Sequence, residues 1–467
     1  MVSRRGFLTL ASSLPAAPQA PRPAARRRPN ILFFFPDQLR PDWFLARKNL
    51  PLETPNLASL AKSGMQFTRT LVSSPLCAPS RACLATGKDY ARAGVRNNGQ
   101  DLPLDQPTFY QVLRESGYHV MGCGKFDLHK ATPDWGIDGR RFLPEWGFSD
   151  GVDSAGKMDA IASGAAEPRD PYMAYLHRRG LATAHVEDFR RRTGNNSYLN
   201  TEPSPLPEEA YCDNWIAARG LDLLRRAPSA KPWFLQINFA GPHNPVDITR
   251  RMERTVRRRQ FPEPEDYEEH SVERHNAVRQ NYTAMVENID RWLGIYTEEL
   301  RKRGELDNTL IFFSSDHGEM LGDHDRWGKS VPYQPSVAVP LLVAGPGVSQ
   351  AFSSDALIAH YDLAATFLDF ASAPRLADSS SLSIRPLLQR KATTHREYLL
   401  SALDRWQMVF DGRYKLIRGF DTEPPAKGKP RTEPRPMLFD LKLDPNETSN
   451  IAREAPHQVE RLSKLLL

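Results

Sequence analysis

A chain of 467 residues with 40% hydrophobic and 25% charged side chains has room for one large core and a smaller companion, with the composition of a soluble globular enzyme. Its net charge of +6 resides in Arg4, Arg5, Arg22, Arg26, Arg27 and Arg28. The rest holds 56 basic against 56 acidic side chains, which removes any global electrostatic case for nucleic acid.

In chain order, residues 1–28 read as an address and a basic linker. Ser3-Arg4-Arg5-Gly6-Phe7-Leu8 resembles the twin-arginine export motif and is followed by a short apolar stretch. The expected partner is the twin-arginine export machinery, and the expected location is periplasmic or extracellular. No apolar run reaches the roughly 20 residues of a transmembrane segment. Pro29–Phe35 (PNILFFF) is apolar throughout, as a parallel strand buried on both faces would be, and ends in Pro36-Asp37-Gln38. Gln106–Ser116 predicts a short helix stopped by Gly117. Residues 131–212, rich in Gly, Pro, Asp and Arg, predict long loops with short helices, an insertion of the kind that usually serves function.

Phe234–Phe239 and Thr309–Ser315 repeat the buried-strand design and lead into Pro242-His243 and Asp316-His317. Three such strands with polar groups at one end predict a doubly wound α/β sheet with a single site beyond its carboxyl edge. Between these strands, Arg250–Arg259 carries six arginines and precedes the acidic run Glu263–Glu269, which predicts a solvated, self-compensating face. Val278, Tyr282, Met285, Ile289, Leu293, Tyr296 and Leu300 form one apolar stripe on a helix over His275–Arg303. Val339-Pro340-Leu341 opens the next buried strand. After about residue 372, Tyr398–Leu403, Trp406–Asp411, Tyr414–Gly419 and Met437–Leu441 predict a small antiparallel sheet, and His457–Leu467 a final helix. The division expected is 1–28, 29–372 and 373–467.

The strongest chemical signal is Cys77-Ala78-Pro79-Ser80-Arg81, continuing to Thr86-Gly87. Pro79 suits a first helical position, which puts Cys77 at a helix start where free N–H groups favour an anion. The four cysteines (Cys77, Cys83, Cys123, Cys212) are too few for a disulfide scaffold and lack metal-pair spacing.

The C-x-P-S-R segment with its following T-G resembles the signature of the type I, formylglycine-dependent sulfatases. The likeness extends over about residues 29–452 in that family's order. It implies an alkaline-phosphatase-like fold with a C-terminal antiparallel subdomain, and hydrolysis of sulfate esters. It also implies that a formylglycine-generating enzyme oxidises Cys77 to an aldehyde. Once hydrated, that aldehyde offers one hydroxyl to attack sulfur and another to expel sulfate.

By the same resemblance Asp37, Gln38, Cys77, Asp316 and His317 surround one divalent cation, calcium foremost, with manganese or zinc as alternatives. Gln38 stands where many relatives have a second Asp. Arg81 would hold the hydrate and the metal-side oxygens, and Lys125 the sulfate. His243, in Pro242-His243-Asn244-Pro245, would protonate the leaving oxygen, and Lys329, in Trp327-Gly328-Lys329, would neutralise the sulfate. In Gly124-Lys125-Phe126-Asp127-Leu128-His129 the family's histidine place holds Asp127, and His129 is the shifted candidate for that role. Two other readings are a phosphonate monoester or phosphodiester hydrolase with the same nucleophile, and a non-catalytic binder of sulfated glycans. The 131–212 insertion, the arginine run and residues 404–435 are expected to shape the pocket.

Overall fold

All eight residues of strand β1 (Asn30–Asp37) are buried, and alternate side chains enter opposite layers. Ile31, Phe33 and Phe35 join one hydrophobic cluster, while Leu32 and Phe34 join another. An unbroken apolar run is therefore what a strand between two helical layers requires. The computed structural model describes residues 28–466 except 48, 195 and 422–433. Apart from Arg28, the expected export segment lies outside the described residues, as does much of the 404–435 stretch. Among the described residues, no helix is long and apolar enough to cross a membrane.

The other strands are β2 (Gly64–Phe67), β3 (Thr70–Leu71), β4 (His119–Gly124), β5 (Asp150–Asp153), β6 (Trp233–Pro242), β7 (Thr309–Ser314), β8 (Leu341–Ala344), β9 (Phe352–Ser354) and β10 (Ile358–Ala359). Seven of them join β1 in one eight-stranded sheet in the order β5-β4-β6-β1-β7-β8-β2-β9, and β3 pairs with β10 outside it. From β5 to β7 every pairing is parallel, whereas β8 runs antiparallel to both β7 and β2. The sheet is thus mixed, and only its parallel part delivers strand ends to one edge.

One layer holds the helices Cys77–Thr86, Phe109–Glu115 and Asp362–Phe370. The other holds Cys212–Arg225 and the long helix Val272–Lys302. The Phe109 helix is fixed by a capping box, in which Thr108 accepts from the Gln111 N–H and the Gln111 side chain accepts from the Thr108 N–H. The insertion contains the edge strand β5 and a helix at Ala182–Thr193. Four strands, β11 (Leu399–Leu403), β12 (Trp406–Phe410), β13 (Tyr414–Arg418) and β14 (Met437–Asp440), make an antiparallel meander against the helix Pro456–Ser463. A fully buried pair, Lys415 with Glu447, ties that meander to the main body, since Glu447 Oε2 accepts the Gln334 N–H at 2.5 Å.

Phe33 lies against Phe35 and Phe367 at ring separations of 4.8 and 5.3 Å. Truncation there empties the centre of one layer. Phe33→Ala is expected to cost roughly 3–5 kcal/mol, read as a lowered urea midpoint with an unchanged slope.

Candidate active site

Four adjacent parallel strands end beside one another, and each hands a polar residue to the same place. Asp37 closes β1, Lys125 follows β4, His243 follows β6, and Asp316 and His317 follow β7. The close approach of β4 to β6 depends on Gly124, at φ +100°, where a Cβ would lie 2.0 Å from the Asn238 carbonyl oxygen. Lys125 leaves the strand at that point, its N–H bonded to the same oxygen at 3.0 Å.

The Cys77 helix brings the fifth contribution. It begins at Cys77 itself after an extended Leu76, so Pro79 sits third rather than first, still in the turn where its missing N–H costs nothing. The helix ends at Gly87 in the left-handed region, and all ten of its residues are buried. Asn98 Oδ1 accepts the Ala78 N–H at 3.0 Å, and Ser80 Oγ donates to the Asp316 carbonyl at 2.5 Å. The helix start is thereby fastened directly to the β7 loop.

The Cys77 sulfur lies 3.3 Å from His317 Nε2, 3.2 Å from Lys329 Nζ, 3.8 Å from Lys125 Nζ and 3.9 Å from Asp37 Oδ1. Burial and Asp37 push this thiol up, but Lys125, Lys329 and His317 outweigh them and bring it down to about 5. Burial pushes the thiols of Cys83, Cys123 and Cys212 up instead. Of the four thiols, the one brought down is the one at the strand ends.

Arg81 lies one turn on, with Nε donating to Asp316 Oδ2 at 2.9 Å, Nη2 at 3.4 Å from Asp37 Oδ2, and Nη1 bonded to the Lys125 carbonyl. Lys125 Nζ reaches Asp37 Oδ2 at 2.5 Å and Asp127 Oδ2 at 3.2 Å. Burial would raise the Asp37 carboxyl, yet Lys125, His243, Lys329 and Arg81 hold it well below the usual range. Burial opposes the Lys125 charge in turn, but Asp127 and Asp37 keep it fixed.

Donor atoms of Asp37, Cys77, Asp316 and His317 all lie within 4.8 Å of one another. His317 Nδ1–H donates to the Gly318 carbonyl at 3.1 Å, so Nε2 is the atom facing the thiol and both carboxylates. Burial opposes a charge on the ring, but Asp316 and Cys77 raise its pKa, and a cation bound there would take the place of the Nε2 proton. Two hard carboxylates, one imidazole and an anionic sulfur position fit a divalent cation. Gln38 has a different part. Its Oε1 accepts from Lys329 Nζ at 2.6 Å, and its Nε2 donates to Glu319 and, at 2.8 Å, to Tyr198. It adopts φ +67°, a conformation maintained by its N–H on Asp316 Oδ1 and by Tyr282 Oη on its carbonyl.

His243 Nδ1–H donates to the Asn244 carbonyl at 2.5 Å, leaving Nε2 free, and burial with nearby Lys329 holds the ring well below its usual pKa. His129 sits apart from this cluster. Its Nε2 pairs with Asp153 at 2.9 Å, its Nδ1 with the Thr132 carbonyl, and Trp135, Phe142 and Trp146 surround the ring. Asp127 stands by Lys125 instead, bridged by Lys130 to Asp159.

Sequence reasoning assigned no role to Glu319 or Tyr198. Buried Glu319 accepts from Tyr198 Oη, the Leu321 N–H and the Gly328 N–H, so one carboxylate ties Gln38, the β7 loop and the Lys329 segment together. Its place three residues after Asp316 was the available signal. Tyr198 comes from the insertion and gave none.

A parallel-edge site with a cysteine at a helix start and clustered carboxylates belongs to an alkaline-phosphatase-like architecture. The family model "Sulfatase" matches residues 29–373, and "N-sulphoglucosamine sulphohydrolase, C-terminal" matches 322–466. The chain belongs to the sulfatase family and is a sulfuric ester hydrolase. It is 26% identical to an arylsulfatase of Clostridium perfringens across 94% of each chain. It is equally identical to an N-acetylglucosamine-6-O-sulfatase of Bacteroides thetaiotaomicron, over 97% of this chain and 87% of that one. A protein solved with its substrate D-glucosamine-2-N,6-O-disulfate superposes with TM-score 0.73 at 21% identity, covering 94% and 97% of the two chains. A phosphonate monoester hydrolase from Silicibacter pomeroyi does so at 0.75 and 22%, over 94% of each, which speaks to the fold alone.

Asp316→Asn removes one of the two carboxylates and is expected to abolish tight binding of Ca2+ or Mn2+ in a calorimetric titration. His129→Gln, outside the cluster, is expected to leave that titration unchanged.

Proposed function

We propose that the chain hydrolyses a sulfate ester, of a sulfated carbohydrate foremost, with Cys77 converted by a formylglycine-generating enzyme to the nucleophilic aldehyde. The observation that carries this reading is the Cys77 sulfur at a helix start, within 4 Å of two ammonium groups and one imidazole. Relatives named for sulfated glucosamine support the choice of substrate class.

Asp37, Asp316 and His317 would hold a divalent cation, calcium foremost, with residue 77 beside it and Gln38 contributing if Lys329 releases its amide oxygen. Bound there, the cation supplies Lewis-acid polarisation of the sulfate, and the hydrated aldehyde supplies both the attacking and the sulfate-releasing hydroxyl. Arg81 orients the hydrate from one helical turn away. Lys125 and Lys329 bracket residue 77 and neutralise the sulfate oxygens. His243 rests neutral with its proton on Nδ1, so it serves the departing alcohol oxygen as an acid only after its free Nε2 has taken up a proton from solvent, which the negative charge of a bound sulfate ester favours. His129 acts as a positioning residue, through Asp153, whose Oδ1 accepts the Phe126 N–H at 3.3 Å. Residues 29–372 carry the chemistry and 373–467 the subdomain that braces it.

Mass spectrometry of the tryptic peptide bearing Cys77, from cells that possess the maturation enzyme, is expected to show the aldehyde. An untouched thiol in fully active enzyme would overturn the mechanism. Cys77→Ala is expected to lower turnover roughly 10⁴-fold. Turnover of an aryl sulfate is expected to exceed that of an aryl phosphonate monoester, and the reverse order would favour a phosphonate monoester hydrolase.

Export by the twin-arginine route fits a protein whose cysteine and metal are installed before crossing. A reporter fused to residues 1–30 is expected to leave the cytoplasm, and retention there counts against export.

A further inference from the structure

The arginine run departs from the self-compensating face its sequence suggests. The acidic residues 263–269 turn the other way and dock on the loop after β7, where Asp325 Oδ1 accepts the Glu268 and Glu269 N–H groups and Asp266 pairs with His324. No ion pair among the described residues joins the two runs. Arg257 is matched by Glu253, and Arg259 by Glu287 and Glu53. Arg250, Arg251, Arg254 and Arg258 are exposed and take part in no hydrogen bond or ion pair of the described residues.

Their arrangement is ordered. The helix Arg250–Val256 buries Met252 and Val256 and exposes Arg250 and Arg254 one turn apart with Arg251 beside them; Arg258, also exposed, follows in the turn after the helix. Like charges at that spacing cost a helix a few tenths of a kcal/mol per pair, so the helix gains nothing from them. The row also has a definite place. At its far end Arg251 lies near enough to Arg291 of the long helix that, after burial, its charge lowers that guanidinium's pKa. At its near end Arg257 bonds Asn281 at 3.2 Å and donates to the Thr201 carbonyl at 2.7 Å, within the loop that carries Tyr198 to Gln38. Asn281 to Arg291 spans about 15 Å of helix. The helix itself starts soon after His243, and the neighbouring strand-like segment pairs Ser204 N–H with the Ile248 carbonyl.

We propose that this row is a docking track for a polysulfated polysaccharide, one sulfated residue of which occupies the active site while the anionic chain continues along Arg258, Arg254, Arg251 and Arg250. The inference rests on the sulfate-ester reading and extends it from a single sulfated unit to a polymer. Charge complementarity selects the occupant: a series of unpaired guanidinium groups, each suited to forked bonding with sulfate oxygens, beside Arg257, which is tied to the loop that carries Tyr198 into the site.

The test uses the full chain with Arg250→Glu, Arg254→Glu and Arg258→Glu combined. A control carries the same charge change at Arg375, Lys391 and Lys442, exposed residues of the C-terminal part. Binding to heparin, used as a highly sulfated polysaccharide, is measured against salt by fluorescence anisotropy, together with turnover of sulfated oligosaccharides and of 4-nitrophenyl sulfate. Loss of three contacts is expected to cut the slope of log K against log salt by about two to three, with the control unchanged. On oligosaccharides kcat/KM is expected to fall about ten-fold, and on 4-nitrophenyl sulfate to stay within about two-fold. Equal losses in control and variant, or equal losses on both substrates, would overturn the track. Equal affinity for duplex DNA would overturn the choice of a sulfated glycan. Binding is read without turnover, so a protein inactive on every sulfate ester would defeat the sulfatase reading while leaving the track to be judged by heparin.

Discussion

The site is governed by the need to keep several like charges together out of water. Buried Arg81 and Lys125 converge beside half-buried Lys329, and the carboxylates of Asp37, Asp316 and Asp127 make the burial of the first two tolerable. Desolvating any one of these ions alone costs several kcal/mol, so the network persists as a unit. An anion entering this site finds cations already oriented and stripped of water, which is where electrostatic stabilisation is strongest.

The scaffold follows from that need. Parallel strands are the arrangement that brings four carboxyl ends to one edge, and a helix start aimed at the same edge adds the positive end of its dipole. β8 runs the other way, so its carboxyl end is at the opposite edge and it serves the site only by flanking β7. The loop after β7 is bound from behind as well: Gly318 and Glu319 donate to the Ser336 and Pro335 carbonyls, and the neighbouring Gln334 N–H rests on Glu447. A change in the C-terminal meander can therefore reach Asp316 and His317 through the Lys415–Glu447 pair and the backbone bonds of this loop.

The three long buried strands were legible because burial on both faces forces an unbroken apolar run. β5 was not, since Asp150-Gly151-Val152-Asp153 has neither that run nor clean alternation and forms only as an edge against β4. The direction of β8 leaves no mark in a four-residue run. Within the site, residues fixed at strand ends were placed by their own sequence context. Tyr198 comes from an insertion whose path depends on Arg192 and Arg257 holding carbonyls at 200–202, contacts with no local signature. His129 shows the opposite lesson. A two-residue shift carried the imidazole into an aromatic box, and Asp127 took the position beside Lys125.

The enclosure of the Cys77 helix also imposes an order of events. With all ten residues covered and the sulfur-bearing side chain 1% exposed, the finished protein offers no room for another macromolecule to close around this residue. Any catalyst that must grip the surrounding segment has to meet it as a pliable strand, before packing is complete. Under the proposed conversion of Cys77, biosynthesis rather than the mature molecule sets how much of the population becomes competent.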